Sequence, residues 1–195
     1  MNKSIRICSL IIVIVILGAL MGCSQSPAQS KGPQQATISE VDVKKYSDMP
    51  TVQGTPRSVI SESRESVRGT VKEYFEKAFL DLGLVNSAGF QEEILSYFTK
   101  DTQAKAQTEL RLLSLAEEGT RLESISTNQL KIPLLAISFD KSKKAALSTV
   151  NFEFTAQYKA KKKKQADLKT FGWMALAKED GDWKIFDYWI QTSLK

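Results

Sequence analysis

Histidine is absent from this 195-residue sequence. The side chain best suited to proton transfer near neutral pH is therefore missing, and with it the commonest metal ligand. Cysteine occurs only at Cys8 and Cys23. Cys8 lies inside an N-terminal apolar run and Cys23 ends it, so no intrachain disulfide is expected beyond the run and no cysteine metal site can be built. Neither a metal nor a cofactor is expected. A strong charge imbalance is lacking too. The formal charge is +5, and Lys3 and Arg6 belong to the N-terminal segment. A nucleic-acid binder needs a strongly basic face, so that class is disfavoured. No nucleophile elbow and no phosphate-cradling glycine loop occurs. With 42% apolar and 25% charged residues the composition is that of a globular protein. Without disulfides or metal, a core must hold the domain together, and roughly 140 residues suffice for that.

The N-terminus carries the first positive signal. Lys3 and Arg6 precede Ile7 to Gly22, which is apolar apart from Ser9. A positive n-region followed by an apolar h-region is the secretory pattern. The run closes on Leu20-Met21-Gly22-Cys23, which resembles the bacterial lipobox. Leu20 and Gly22 match it; Met21 stands where a small residue is usual. The resemblance implies cleavage before Cys23, a thioether-linked diacylglycerol on Cys23 and acylation of the new N-terminus. Two or more acyl chains hold a protein firmly to a bilayer, at about 0.8 kcal/mol per buried CH₂. The alternative is an uncleaved transmembrane anchor, although the run is short for one. Both place the rest of the chain on the extracytoplasmic face of the cell membrane, because Lys3 and Arg6 keep the N-terminus inside.

Residues 1–22 are thus expected to be a signal peptide, 23–57 a tether and arm, and 58–195 a folded domain. Ser24 to Thr37 reads SQSPAQSKGPQQAT, too polar to offset chain entropy by burial. Ile38 to Arg57 is expected to be a partly ordered arm: Val41 and Val43 alternate, then Pro50, Gly54 and Pro56 interrupt. From Ser58, Ile60, Val67, Val71, Tyr74, Phe75, Ala78, Phe79 and Leu82 recur at helical spacing, with Gly83 as the expected stop. A short helix follows over Ala88 to Phe98, with Ser87 as a possible N-cap. A third is expected from an Asp101 N-cap to Glu118, closed by Gly119. Strands are then expected over Leu130–Phe139, with Pro133 marking an edge or bulge, then Val150–Tyr158, Leu168–Ala177 and Trp183–Ile190. The last two are joined by a hairpin at Glu179-Asp180-Gly181-Asp182. Helices followed by consecutive strands argue for α+β, with helices packed on one face of an antiparallel sheet.

This order of elements, with GWMALAKEDGDWKIFDYWI from Gly172 to Ile190, resembles the nuclear transport factor 2-like superfamily. Its exported members, such as mammalian-cell-entry-associated proteins and related small lipoproteins, are similar in layout. The resemblance implies a curved sheet wrapped around a helix as a cone, often with an apolar pocket inside. Enzymes of the superfamily, such as ketosteroid isomerase and scytalone dehydratase, place Asp, His or Tyr within the cone. Here Asp187 is the candidate: it shares strand phase with Trp183, Ile185 and Trp189. Buried there, its carboxylate would have a raised pKa and could act as a base; on the outer face it would be structural. Tyr158 and Tyr188 are possible hydrogen-bond partners. Tyr158, Trp173, Asp187 and Trp189 form the candidate pocket, although tryptophans equally serve as core. Lys161, Lys162, Lys163 and Lys164, with Lys159, sit in the turn between the second and third strands. They are a candidate contact for an anionic surface, or a solvated tip that blunts aggregation. The expectation is a non-catalytic lipoprotein that binds a protein partner or a small apolar ligand at the cell envelope. The alternatives are a scaffold subunit of an envelope assembly and a small isomerase- or dehydratase-like enzyme.

Overall fold

The computed structural model describes residues 35–48, 54–162 and 165–195. The signal peptide, Cys23 and most of the expected tether lie outside the described residues. Two short strands come first, β1 (Val41–Val43) and β2 (Tyr46–Asp48), then a long helix, α1 (Arg57–Phe75), which runs into a π-helical turn at Glu76–Leu80. Four short helices follow: α2 (Leu82–Val85), α3 (Phe90–Leu95), α4 (Lys100–Thr108) and α5 (Leu110–Leu113). A 3₁₀ turn at Gly119–Arg121 leads to β3 (Leu122–Phe139), β4 (Ala145–Ala160), β5 (Ala166–Glu179) and β6 (Asp182–Leu194). Among the described residues no helix is long and apolar enough to cross a membrane.

β3 to β6 pair antiparallel in sequence order. β1 and β2 pair in parallel along the outer edge of β3, β1 on Leu130–Ile132 and β2 on Leu135–Ile137. The arm is held by more than this ladder. Ile38 is buried, and its backbone N–H donates to Glu76 Oε1 at 2.6 Å. Arg64 of α1 reaches Asp48 at 2.8 Å and lies 4.6 Å from the centre of the Tyr46 ring.

One face of the sheet and one stripe of α1 build the core. Val67, Val71, Tyr74 and Phe75 recur at helical spacing and are buried. On β4, Val150, Phe152, Phe154, Ala156 and Tyr158 are all buried, as their alternation predicts. Phe75 stacks on Phe154 with centroids 4.9 Å apart and meets Phe152 at 5.0 Å. Pro133 falls in a register shift between Lys131 and Leu134, where a missing N–H does no harm to the ladder. The 179–182 hairpin turns through Asp180 at φ 54° and Gly181 at φ 97°.

The helix ends differ from those expected. The long helix breaks at Asp81, not Gly83: Asp81 leaves helical geometry and its carboxylate accepts from the Leu84 N–H, starting α2 with Gly83 inside it. Gly89, not Ser87, precedes α3, and Thr99, not Asp101, precedes α4. The third helix stops at Thr108 and resumes only to Leu113. β3 begins at Leu122, eight residues earlier than its apolar stretch indicated, because its polar first half pairs with β4. Gly119 serves close packing rather than a helix end, since a Cβ there would be driven into Val85.

Candidate functional site

The inner face of the sheet is filled. Tyr74, Phe75, Phe79, Phe98, Phe152, Phe154 and Tyr158 are fully buried side by side. The two inner phenols are satisfied by backbone: Tyr74 Oη donates to the Leu113 carbonyl and Tyr158 Oη to the Phe79 carbonyl, each at 2.7 Å. Burial raises both phenols above the ordinary tyrosine range. Tyr158 is therefore a core residue with a partnered hydroxyl.

Asp187 does not share the phase of Trp183 and Ile185. Ala175 pairs with Asp187 and Leu176 with Ile185, so Phe186 is an extra residue in β6. Such a bulge reverses which side chains face in from that point. Trp183 and Ile185 are buried, Asp187 and Trp189 are exposed, and Tyr188 takes the inward place. The bulge is held from outside the sheet. Thr99 N–H donates to the Ile185 carbonyl at 3.0 Å, Ile185 N–H to the Tyr97 carbonyl at 2.8 Å, and Thr102 Oγ1 to the Phe186 carbonyl at 2.8 Å. The expected alignment of Asp187 is thus corrected by a backbone irregularity that no side-chain pattern announces. Exposed Asp187 instead lies 3.7 Å from Lys105 Nζ. Tyr188 donates to Glu109 Oε2 at 2.9 Å. Burial, then the Glu109 carboxylate, push its phenol up.

Trp173 and Trp189 lie directly opposite each other on β5 and β6, on the outer face. Trp189 is 47% exposed, and the Phe171 ring meets it edge-on at 6.0 Å. Pro133, Asn151, Glu153, Lys169, Phe171 and the two tryptophans border a shallow groove of about 390 Å³. Gly172 lets β5 and β6 close here, because a Cβ would be driven into the Trp189 carbonyl oxygen. Phe171, Asn151, Glu153 and Lys169 were not singled out from the sequence. The signal was present: Lys169 and Phe171 share the phase of Trp173 along β5.

Tyr158 is therefore parted by the sheet from Trp173 and Trp189, and Asp187 faces solvent. The four candidate pocket residues are not brought together. Of the lysine run, Lys161 and Lys162 are exposed at the β4–β5 turn, and Lys161 Nζ donates to the Thr120 carbonyl at 2.7 Å. Lys163 and Lys164 lie outside the described residues. Among the described residues no cluster of three or more acidic, cysteine or histidine side chains is arranged to hold a metal ion.

No family model matches the chain, and no curated protein matches it. Among solved structures it is similar to one from Novosphingobium aromaticivorans that bears the provisional name scytalone dehydratase. The likeness covers 71% of this chain and 89% of that one, at 14% identity and a TM-score of 0.48. At that identity and score nothing about activity, ligand or site residues transfers. The fold itself is a mixed α+β domain with helices packed on one face of an antiparallel-rich sheet.

Proposed function

We propose that this chain is an exported lipoprotein, anchored through Cys23 at the extracytoplasmic face of the cell membrane. Its domain, a cone of the nuclear transport factor 2-like kind, serves as a non-catalytic module that binds a protein partner through the outer face of the sheet. The observation that carries the reading is the contrast between the two faces. The inner one is closed by buried aromatic side chains, while the outer one leaves Trp189 half in water beside Phe171 and Trp173. Tryptophan is strongly enriched among the few residues that carry the energy of protein interfaces. Polar Asn151, Glu153 and Lys169 around it resemble the polar rim of such an interface. The aromatic packing at the centre of the inner face also favours a protein-binding or scaffold role over one in which a ligand sits in the middle of the cone. An enzyme reading has no support from Asp187, which faces solvent.

Two measurements test the proposal. Cys23→Ala should leave an unprocessed precursor without acyl mass; identical intact masses for the two proteins would defeat the anchor. A photoreactive amino acid placed at Trp189 or Phe171 in living cells should crosslink one discrete protein, and one placed at Lys141 should not. Trp189→Ala should weaken that complex by about thirtyfold, as expected for an anchor residue. Equal crosslinking from both positions would defeat the outer-face assignment.

A further inference from the structure

A second concave feature lies where β3 and β5 begin and β4 and β6 finish. On β6, Thr192 Oγ1 donates to the Leu112 carbonyl at 2.6 Å, and the strand continues past this point to Leu194. The ends of β3, β4, β5 and β6 and the 3₁₀ turn at Gly119–Arg121 together border a partly open cavity of about 520 Å³. That is within the roughly 300–1,000 Å³ range of small-molecule sites. One wall is fixed by the contact of Lys161 Nζ with the Thr120 carbonyl and by the Lys161 N–H, which donates to the Arg121 carbonyl at 3.0 Å.

The lining divides into two chemistries. Leu122, Ala160, Ala166 and Leu194 supply an apolar floor that continues the core. Arg121, Lys161, Lys162 and Lys195 supply a cationic rim. Glu118 is the one acidic side chain among the described lining residues, and it is engaged by Arg121 at 3.1 Å. Lys161 and Lys162 therefore meet no acidic side chain among the described lining residues. A neutral apolar ligand would make no use of the rim charge, and a hydrophilic anion would leave the floor wet. An occupant that satisfies both has one anionic head and one alkyl chain.

We propose that this end cavity binds a single-chain anionic amphiphile, of the class of a fatty carboxylate, with its head at Arg121, Lys161 and Lys162 and its chain against Leu122, Ala160, Ala166 and Leu194. The inference is independent of the outer-face reading, since the two sites share no residue. Binding places the carboxylate within a few ångströms of the rim cations and removes the first methylenes from water.

The test uses the full chain in nanodiscs of zwitterionic phospholipid, probed with a photoreactive dodecanoic acid and mapped by mass spectrometry. Adducts are expected on peptides carrying Arg121, Leu122, Ala160 or Leu194. Dodecanoate should compete about tenfold better than dodecanol. The triple variant Arg121→Gln, Lys161→Gln, Lys162→Gln should lower labelling about tenfold, the sum expected for three exposed charge contacts. Ala160→Phe, which fills the floor, should lower it while leaving the rim charge intact. Thermal melting of each variant checks that it is folded. Labelling elsewhere, equal competition by dodecanol, or labelling unchanged in a folded triple variant would overturn the proposal. So would equal competition by inorganic phosphate, or equal labelling by a photoreactive phosphatidylglycerol, which would mark a bilayer contact.

Discussion

The Tyr158 hydroxyl donates to the carbonyl oxygen of Phe79 across 2.7 Å, with both residues fully buried. Phe79 lies in the π-helical turn, where the ordinary helical bonding pattern is interrupted. A side chain from the sheet thus supplies a hydrogen bond to backbone that the irregular turn leaves available. Tyr158→Phe keeps the ring and removes the donor. It should destabilise the domain by about 1–3 kcal/mol, the range for an unsatisfied buried acceptor. Urea unfolding of wild type and variant checks this; an unchanged midpoint would mean that the bond contributes nothing.

Alkaline pH should unfold the domain. Burial raises Tyr74 and Tyr158, burial and Glu73 raise Tyr97, and burial and Glu109 raise Tyr188, all above 10.0. Above the ordinary tyrosine value, of about 10, an unfolded chain releases protons that the folded chain keeps. The folded state then binds more protons than the unfolded one, so stability falls as pH rises. The stabilisation is fully present below about pH 10 and is lost progressively above it. Phenolate absorbance followed alongside circular dichroism should show these tyrosines ionising together with unfolding. Ionisation well before unfolding would contradict their burial.

Gly172→Ala probes the closeness of β5 and β6. The new methyl would be driven into the Trp189 carbonyl oxygen, which is backbone and cannot swing aside. A loss of about 2 kcal/mol or more is expected, in line with overpacked sites. The same variant should displace Trp189 and so reduce crosslinking from that position. A neutral effect on thermal midpoint would show that the strands separate freely here.

Thr102→Val tests the clamp on the β6 bulge. The hydroxyl that donates to Phe186 is lost at nearly constant shape. Stability should fall by about 1 kcal/mol, and amide exchange should quicken at Ile185 and Tyr188 before the rest of β6. Uniform exchange along the strand would mean that the bulge is held without Thr102.

Much of the architecture was legible from local pattern. The α1 stripe from Val67 to Phe75, the alternation from Val150 to Tyr158 and the Asp180-Gly181 turn all rest on periodicities of 3.6 and 2 or on φ preference. Helix boundaries were less legible. Asp81 ends the long helix because its side chain bonds forward to Leu84, an event with no strong signature beside Gly83. The candidate pocket failed at two points: Trp173 lies on the face of β5 opposite to that of Tyr158, and β6 changes phase. Strict alternation puts Asp187 with Ile185, and a single extra residue at Phe186 reverses it.

By itself the amino-acid sequence determined the class of this protein: an α+β domain without histidine, whose two cysteines both fall in or at the end of the N-terminal apolar run. These follow from which side chains exist and how they repeat, and neither depends on distant contacts. Only the tertiary structure decided which face the side chains of β6 beyond Phe186 occupy. Phe98, Thr99 and Thr102 meet β6 from more than eighty residues away and hold its bulge. Side-chain direction beyond that point is therefore set by long-range backbone hydrogen bonds, which a local repeat cannot encode.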